Sequence, residues 1–246
     1  MKKITIGALF LGIAVVAGIS LFNTDIFKSE AEIDLPLGAD VSETIEKDSE
    51  SEIPGFFMTD IPFISQAPLL DWSWPFKTSC EETSLLMAHK YLTGEAITPE
   101  TSQAEILAIV DFEKENYTIS SGSAAAQIAR LARDYFKFDA EVRYDITLDD
   151  IKREMVAGNL VLIPTAGREL QNPYFKSPGP IYHMVIMKGY TPTGFIVNEP
   201  GTRYGADYVY SNEILEQAIR DVTMKDWDVP IAVTNRTAMV VINVNK

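Results

Sequence analysis

The fold of this chain is decided around residues 79–94, which read SCEETSLLMAHKYLTG. Apolar residues recur through this run, and Gly94 suits the end of a helix. Ser79 followed by Glu82 matches a capping box, which predicts that the helix begins at Cys80. The unpaired N–H groups of a helix start favour a thiolate, so Cys80 is a candidate nucleophile. We expect its thiol to be partly exposed, with a lowered pKa.

Cys80 is the only cysteine among the 246 residues. The alternative role is that of a small buried apolar residue, the commonest fate of a free cysteine. Proteins outside the cell usually pair their structural cysteines, and the N-terminus of this chain predicts an extracytoplasmic location. A cysteine without a partner there favours the catalytic role.

The N-terminus has the pattern of a membrane anchor. Lys2 and Lys3 precede nineteen uncharged residues, 4–22, enough to cross a hydrocarbon core of about 30 Å. No convincing cleavage site follows, and the positive-inside rule places the rest of the chain outside the cytoplasm. Residues 1–22 are therefore predicted to be a signal anchor in the cell membrane, crossing it once. A cleaved signal peptide and a secreted protein are the alternative.

Residues 23–55 carry −8 of the net charge of −14 and show no sustained apolar period. This composition predicts an acidic, disordered linker. The acidic balance argues against a nucleic-acid partner, because phosphate binding needs a basic face. The sequence has no metal-type Cys/His cluster and no Gly-rich phosphate loop, so we predict neither metal nor cofactor. Residues 56–246 are enough for one domain with a sizeable core.

Helical patterns come first in this domain, and strand patterns mostly follow. Helices are predicted at residues 80–92, 99–110, 123–135, 148–157 and 212–220. Strands are predicted at residues 160–164, 182–190, 195–199, 209–210 and 238–244, with a turn at 191–194 that makes a hairpin. This order predicts an α+β fold in which a helical half packs against an antiparallel sheet.

The chain has two histidines, and only one of them suits a base. His89 follows Cys80 by nine residues, which is about 180° around the helix and about 13 Å along it. It therefore points away from the thiol. His183 begins a predicted strand, and histidine is the usual base of an activated thiol. The alternative for His183 is a structural histidine near the sheet edge.

A catalytic histidine needs a partner on its other nitrogen. Asn198 and Glu199 are adjacent on the return strand of the hairpin, so they face opposite sides and only one can meet His183. The register of the turn does not decide between them. Gln66 lies before the nucleophile helix, where its amide can donate to an oxyanion alongside the Cys80 N–H.

These pieces occur in a fixed order along the chain. They are IPFISQ at 61–66, CEETSLLM at 80–87, GNLV at 158–161, YHMVI at 182–186 and NEPGT at 198–202. The ordered set resembles the papain-like cysteine peptidases, and more closely the bacteriocin-leader (double-glycine) peptidase-like family, a C39-like family. The resemblance covers most of residues 61–202.

The resemblance implies a papain-like fold with Cys80 as nucleophile, His183 as base and Gln66 as oxyanion donor. Glu199 stands where the family usually has Asp before Pro, and Asn198 matches the amide that papain uses; we expect Glu199. Glu81 stands where the family often has Gly. A carboxylate there opposes thiolate formation unless it points away.

The implied function is a membrane-tethered, extracytoplasmic cysteine peptidase that forms a thioester acyl-enzyme. Its substrate would be a peptide or protein at the cell surface. A thiol-dependent acyltransferase or amidase is one alternative, since the same residues support that chemistry. The other is a catalytically inactive cell-envelope binding module, with Trp72, Trp74 and Tyr182 lining a ligand groove.

Overall fold

A seven-stranded antiparallel sheet organises the chain in the computed structural model, which describes residues 52–117, 124–223 and 232–244. The strands are β1 Phe57–Met58, β2 Ala140–Tyr144, β3 Leu160–Ala166, β4 Tyr182–Thr191, β5 Gly194–Asn198, β6 Tyr208–Ser211 and β7 Ala238–Ile242. Their order across the sheet is β2-β7-β3-β4-β5-β6, and β1 pairs with the far end of β4. The predicted hairpin is β4 and β5.

Five helices accompany the sheet in the described residues. They are α1 Cys80–Thr93, α2 Pro99–Asn116, α3 Ala125–Asp134, α4 Leu148–Val156 and α5 Asn212–Ala218. Ser211 caps α5 by accepting the Ile214 N–H at 3.2 Å, as its position before the helix predicts. The α+β layout with an antiparallel sheet is confirmed.

Side chains of the central strands alternate between two apolar cores. On β3, Leu160 and Leu162 pack with residues of α1, α2 and α3, whereas Val161 and Ile163 pack with residues of α4 and α5. The sheet is therefore covered on both faces, which explains why its central strands read as continuous apolar runs. The prediction of one helical half is too simple, because α4 and α5 cover the second face.

The predicted capping box at the start of α1 is wrong. The Ser79 hydroxyl makes no capping bond and donates instead to the Pro75 carbonyl oxygen at 3.0 Å. A short 3-10 turn, Phe76–Thr78, runs into the helix and buries Ser79, so that hydroxyl is already satisfied. The helix still begins at Cys80 and ends at Gly94, whose φ of 68° is left-handed.

The predicted anchor at 1–22 and most of the linker at 23–55 lie outside the described residues. Within the described part of the chain, no helix has the length and apolar character to cross a membrane. Ile53 already packs, partly buried, against the second core, three residues before the predicted start of the domain.

Candidate active site

Cys80 lies at the first position of α1, where the sequence predicts it, but only 5% of its surface is exposed. Its thiol donates a hydrogen bond to Glu81 Oε2 at 2.9 Å. The Met184 backbone N–H on β4 lies close enough to the sulfur to act on its pKa. The expectation of a partly exposed thiol is therefore wrong for this structure.

Burial raises the pKa of the Cys80 thiol well above its usual range, and the negative charge of Glu81 adds to the rise. The Met184 N–H lowers the pKa, but its effect is the smaller one. The expected lowered pKa is wrong, because desolvation and a neighbouring carboxylate outweigh the helix start. The resting thiol is protonated, with its proton directed at Glu81.

His183 lies on β4 and meets Glu199 rather than Asn198. Its Nε2 hydrogen-bonds to Glu199 Oε1, and both side chains are buried. In the β4–β5 register, Ile186 pairs with Asn198. Continuing that register by one residue puts Glu199 on the face of the sheet that His183 occupies.

Asn198 points to the other face of the sheet and is completely buried. Its amide nitrogen donates to the Ile61 oxygen at 2.9 Å and to the Pro62 oxygen at 3.0 Å. The side chain thus ties the extended segment before Gln66 to β5. It holds the fold together at this point and does not orient the histidine.

Both carboxylate oxygens of Glu199 have additional donors that the sequence analysis missed. The Gly201 N–H donates to Oε1 at 2.8 Å, and the Tyr210 hydroxyl donates to Oε2 at 2.9 Å. Asn172 in turn donates to the Tyr210 hydroxyl at 2.8 Å. A tyrosine on a short strand and an asparagine in a loop carry no pattern that signals this contact.

Two further residues enclose the imidazole. The Phe175 ring centroid lies 5.2 Å from that of His183, edge to face at 73°. Gly201 approaches so closely that a Cβ there would lie 2.8 Å from His183 Cε1. The sequence analysis gave Gly201 only as part of the NEPGT motif at 198–202, with no role of its own. Together these residues remove one side of the imidazole from water.

Cys80 and His183 approach the same end of β4 from different sides. Tyr182 and Met184 pack in the first core with Cys80, whereas the side chain between them, His183, faces Phe175 and Glu199. No hydrogen bond of the described residues joins the thiol to His183. The sulfur nevertheless contacts the N–H of the residue that follows His183, and Nε2 is already held. Nδ1 is therefore the imidazole nitrogen that remains for the thiol.

Gln66 connects the start of α1, which carries Cys80, with the segment that carries Glu199. Its backbone N–H donates to the Pro200 oxygen at 3.0 Å, next to Glu199. Its side-chain nitrogen donates to the Phe76 oxygen at 2.8 Å, in the turn that leads to Cys80. The predicted oxyanion donor thus lies beside the start of α1, and one of its two amide hydrogens is engaged.

The three predicted ligand-binding aromatics are in different environments. Trp72 and Trp74 are exposed, at 41% and 51%, and Lys114 Nζ lies 4.6 Å from the Trp74 ring centroid. Tyr182 is buried in the first core beside Cys80 and Glu81. Burial, followed by the charge of Glu81, raises the pKa of Tyr182. The expectation that Tyr182 lines an open groove is therefore wrong.

Two other carboxyl groups, one on α1 and one on α2, lie close to each other near Cys80. Glu82 on α1 and Glu113 on α2 lie close enough that each affects the pKa of the other. Burial raises the pKa of Glu82 well above its usual range and raises that of Glu113 to about 7. Near neutral pH Glu82 therefore keeps its proton.

A cysteine at a helix start, beside a strand that carries a buried histidine–carboxylate pair, has the residue types of a cysteine-peptidase site. The comparison with protein families agrees. The model of the Peptidase_C39 like family matches residues 58–225, which include all the site residues described above, and the chain belongs to this family.

No curated protein matches the chain. A crystal structure from Bacillus anthracis, described as a C39-like peptidase, is similar to it at 20% identity and a TM-score of 0.49. The match covers 78% of this chain and 99% of that one.

Proposed function

We propose that this protein is a papain-like cysteine peptidase in which Cys80 is the nucleophile, His183 the base and Glu199 the residue that orients it. The observation that supports this function best is the buried His183–Glu199 pair. It leaves Nδ1 as the nitrogen for the thiol, at the strand end whose Met184 N–H touches Cys80. A purely structural histidine needs no such buried, fully hydrogen-bonded carboxylate.

In the proposed reaction, His183 Nδ1 takes the thiol proton as the sulfur bonds to the carbonyl carbon of a peptide. The Cys80 N–H and the Gln66 amide stabilise the oxyanion. His183 then returns the proton to the leaving nitrogen as the C–N bond breaks, and water hydrolyses the thioester. The thiol must first turn from Glu81 towards His183, and Gln66 must direct its second N–H to the oxyanion.

The proposed substrate is a peptide or protein at the cell surface. Trp72 and Trp74 project from the loop that precedes the nucleophile helix, so their exposed rings can pack against a bound chain. We also propose that residues 1–22 anchor the protein in the membrane with the catalytic part outside. Fractionation of cells that make the full chain tests this, since a shortened, soluble, secreted form contradicts it.

The activity is tested by incubating the protein with a mixture of cellular peptides and identifying new termini by mass spectrometry. Cleavage should disappear in Cys80→Ala and in His183→Ala. His89→Ala is the matched control, because the His89 ring packs 5.2 Å from that of Phe136, on the far side of α1. Cleavage that survives in Cys80→Ala rules the proposal out. Products that carry a transferred acyl group instead of a free acid indicate an acyltransferase.

One observation favours a second function, a catalytically inactive binding module of the same fold. The buried, protonated Cys80 thiol matches the environment of a structural cysteine. Alkylation separates the two functions. If Cys80 reacts only after denaturation and no peptide is cleaved by the folded protein, the binding module is the correct function.

A further inference from the structure

A line of hydrogen bonds runs from a loop backbone to the imidazole of His183. The Tyr174 N–H donates to Asn172 Oδ1 at 3.0 Å, and Asn172 Nδ2 donates to the Tyr210 hydroxyl at 2.8 Å. That hydroxyl donates to Glu199 Oε2 at 2.9 Å, and Glu199 Oε1 meets His183 Nε2. All of these side chains are buried.

The direction of every bond in this line is fixed by chemistry. A backbone N–H can only donate, so the Tyr174 N–H holds the Asn172 oxygen and turns its amino group towards Tyr210. Because the Tyr210 oxygen accepts that hydrogen, its own proton points to Glu199. A carboxylate only accepts, so His183 must present a proton on Nε2. The unprotonated nitrogen is then Nδ1.

We propose that Tyr210 and Asn172 are positioning residues, which act through Glu199 to hold His183 as the Nε2–H tautomer with Nδ1 free to accept the thiol proton. The catalytic meaning of this inference rests on the proposed peptidase function. The tautomer itself does not depend on that function, since it is a property of the folded protein without substrate.

A glutamate at this position needs such support. It has one more rotatable bond than the aspartate that the family usually carries, so its carboxylate has more orientations to lose. The Gly201 N–H and the Tyr210 hydroxyl each hold one oxygen and leave a single orientation. Burial and the nearby charge of Glu199 raise the pKa of Tyr210, so its hydroxyl stays a donor.

Without the Tyr210 hydroxyl, Glu199 Oε2 is a buried acceptor with no donor. A carboxylate escapes that condition by rotating or by taking up a proton. Either change weakens its hold on His183 Nε2–H, and the imidazole then populates both tautomers. Loss of the hydroxyl should therefore change the tautomer populations of the imidazole ring, although Tyr210 does not contact it.

The experiment compares Tyr210→Phe with Tyr190→Phe. Tyr190 is as deeply buried in the same core, and within the described part of the chain its hydroxyl has no hydrogen-bond partner. The control thus removes the same atom from a matched site. The chain has two histidines, so the spectrum of His89→Ala assigns the imidazole signals of His183 in ¹H–¹⁵N correlation NMR.

The wild type and Tyr190→Phe should show the Nε2–H tautomer of His183 alone, whereas Tyr210→Phe should show both tautomers. In kinetics, Tyr210→Phe should lower kcat by about ten- to a hundredfold with little change in KM, because His183 spends less time as a competent base. Asn172→Leu keeps the branched shape of the side chain and removes the donor. This variant should shift the tautomer populations of His183 in the same direction as Tyr210→Phe, but by a smaller amount. It replaces Tyr210→Phe as the test if that variant does not fold.

A His183 spectrum that stays in the Nε2–H form in both Tyr210→Phe and Asn172→Leu overturns the inference, even if the wild type cleaves peptides. If instead the tautomer responds but the wild type cleaves nothing, the positioning network is real and the peptidase function is the part that fails.

Discussion

The Cys80 thiol donates its hydrogen bond to Oε2 of Glu81, its neighbour in the chain, at a distance of 2.9 Å. The acceptor is therefore a carboxylate rather than an imidazole. This contact keeps the proton on sulfur and, with burial, raises the pKa of the thiol. In the proposed mechanism, catalysis by Cys80 begins with the loss of this contact, so Glu81 would control how often the thiol becomes available to His183.

Replacing Glu81 by Gln should make Cys80 more reactive. Removing the negative charge lowers the thiol pKa, and each unit of pKa is worth about a tenfold change in thiolate at neutral pH. Alkylation by iodoacetamide at pH 7.5 should accelerate by about that factor. Glu115→Gln, at an exposed position on α2, is the control and should change nothing. Equal rates in the two variants would mean that burial alone limits the thiol.

Gly201→Ala should disable the site while leaving most of the fold intact. The added Cβ would lie 2.8 Å from His183 Cε1 and 3.0 Å from Glu199 Oε1, so the pair must separate. We expect peptide cleavage to fall by about a hundredfold, within the range for loss of general-base catalysis. Gly55→Ala, where a Cβ meets nothing within 4 Å, is the matched control. Full activity in Gly201→Ala would contradict the placement of His183.

Substitutions of Asn198 and Glu199 should have different effects, the first mainly on stability and the second mainly on activity. Asn198→Ala leaves the Ile61 and Pro62 carbonyls without their donor, which costs about 1–3 kcal/mol of unfolding free energy. Its turnover at low temperature should remain near wild type. Glu199→Gln should remove turnover with a smaller loss of stability. Urea unfolding and peptide cleavage on the same samples give both readings, and the opposite pattern would make Asn198 the orienting residue.

The Glu82–Glu113 pair should make the folded protein less stable as the pH rises from about 5 to 7. Burial raises the pKa of Glu113 to about 7 from an ordinary value of 4.5, so in this window the folded state holds a proton that the unfolded state has lost. The Glu113 proton alone makes stability fall with pH by at most about 1.4 kcal/mol per unit, and the raised pKa of Glu82 adds to the fall. Glu113→Gln should flatten this slope in urea unfolding series, whereas Glu115→Gln should preserve it. An unchanged slope in Glu113→Gln would contradict the pKa.

The sequence predicts the elements whose patterns are local. The start of α1 at Cys80, its end at Gly94 and the β4–β5 hairpin follow from apolar periodicity and turn residues. Strand β2 is short, and its apolar residues Ala140, Val142 and Tyr144 alternate with two charged ones, the period-two pattern of a half-buried strand that the predicted strands leave out. It is a strand because it pairs with β7, almost a hundred residues later. The five-residue pattern alone does not show which strand it pairs with.

The site is predictable only in part for the same reason. Strand alternation indicates that Asn198 and Glu199 point to opposite faces of the sheet. In the structure, Glu199 is the one that hydrogen-bonds to His183. The direction of the Glu81 side chain depends on the packing around α1, which periodicity does not report. The contact between Asn172 and Tyr210 joins residues 38 positions apart and depends on where the β3–β4 loop folds back.

The contact between Cys80 and Glu81 also bears on the chemical lifetime of the protein. Peroxides and disulfides attack thiolates, and a thiol that is oxidised beyond the sulfenic acid is generally lost. A lone cysteine has no second thiol in its own chain to rescue it. If the protein is the proposed peptidase, the Glu81 contact keeps the buried sulfur protonated between turnovers and limits oxidative damage to the brief periods in which the thiol has turned away from the carboxylate.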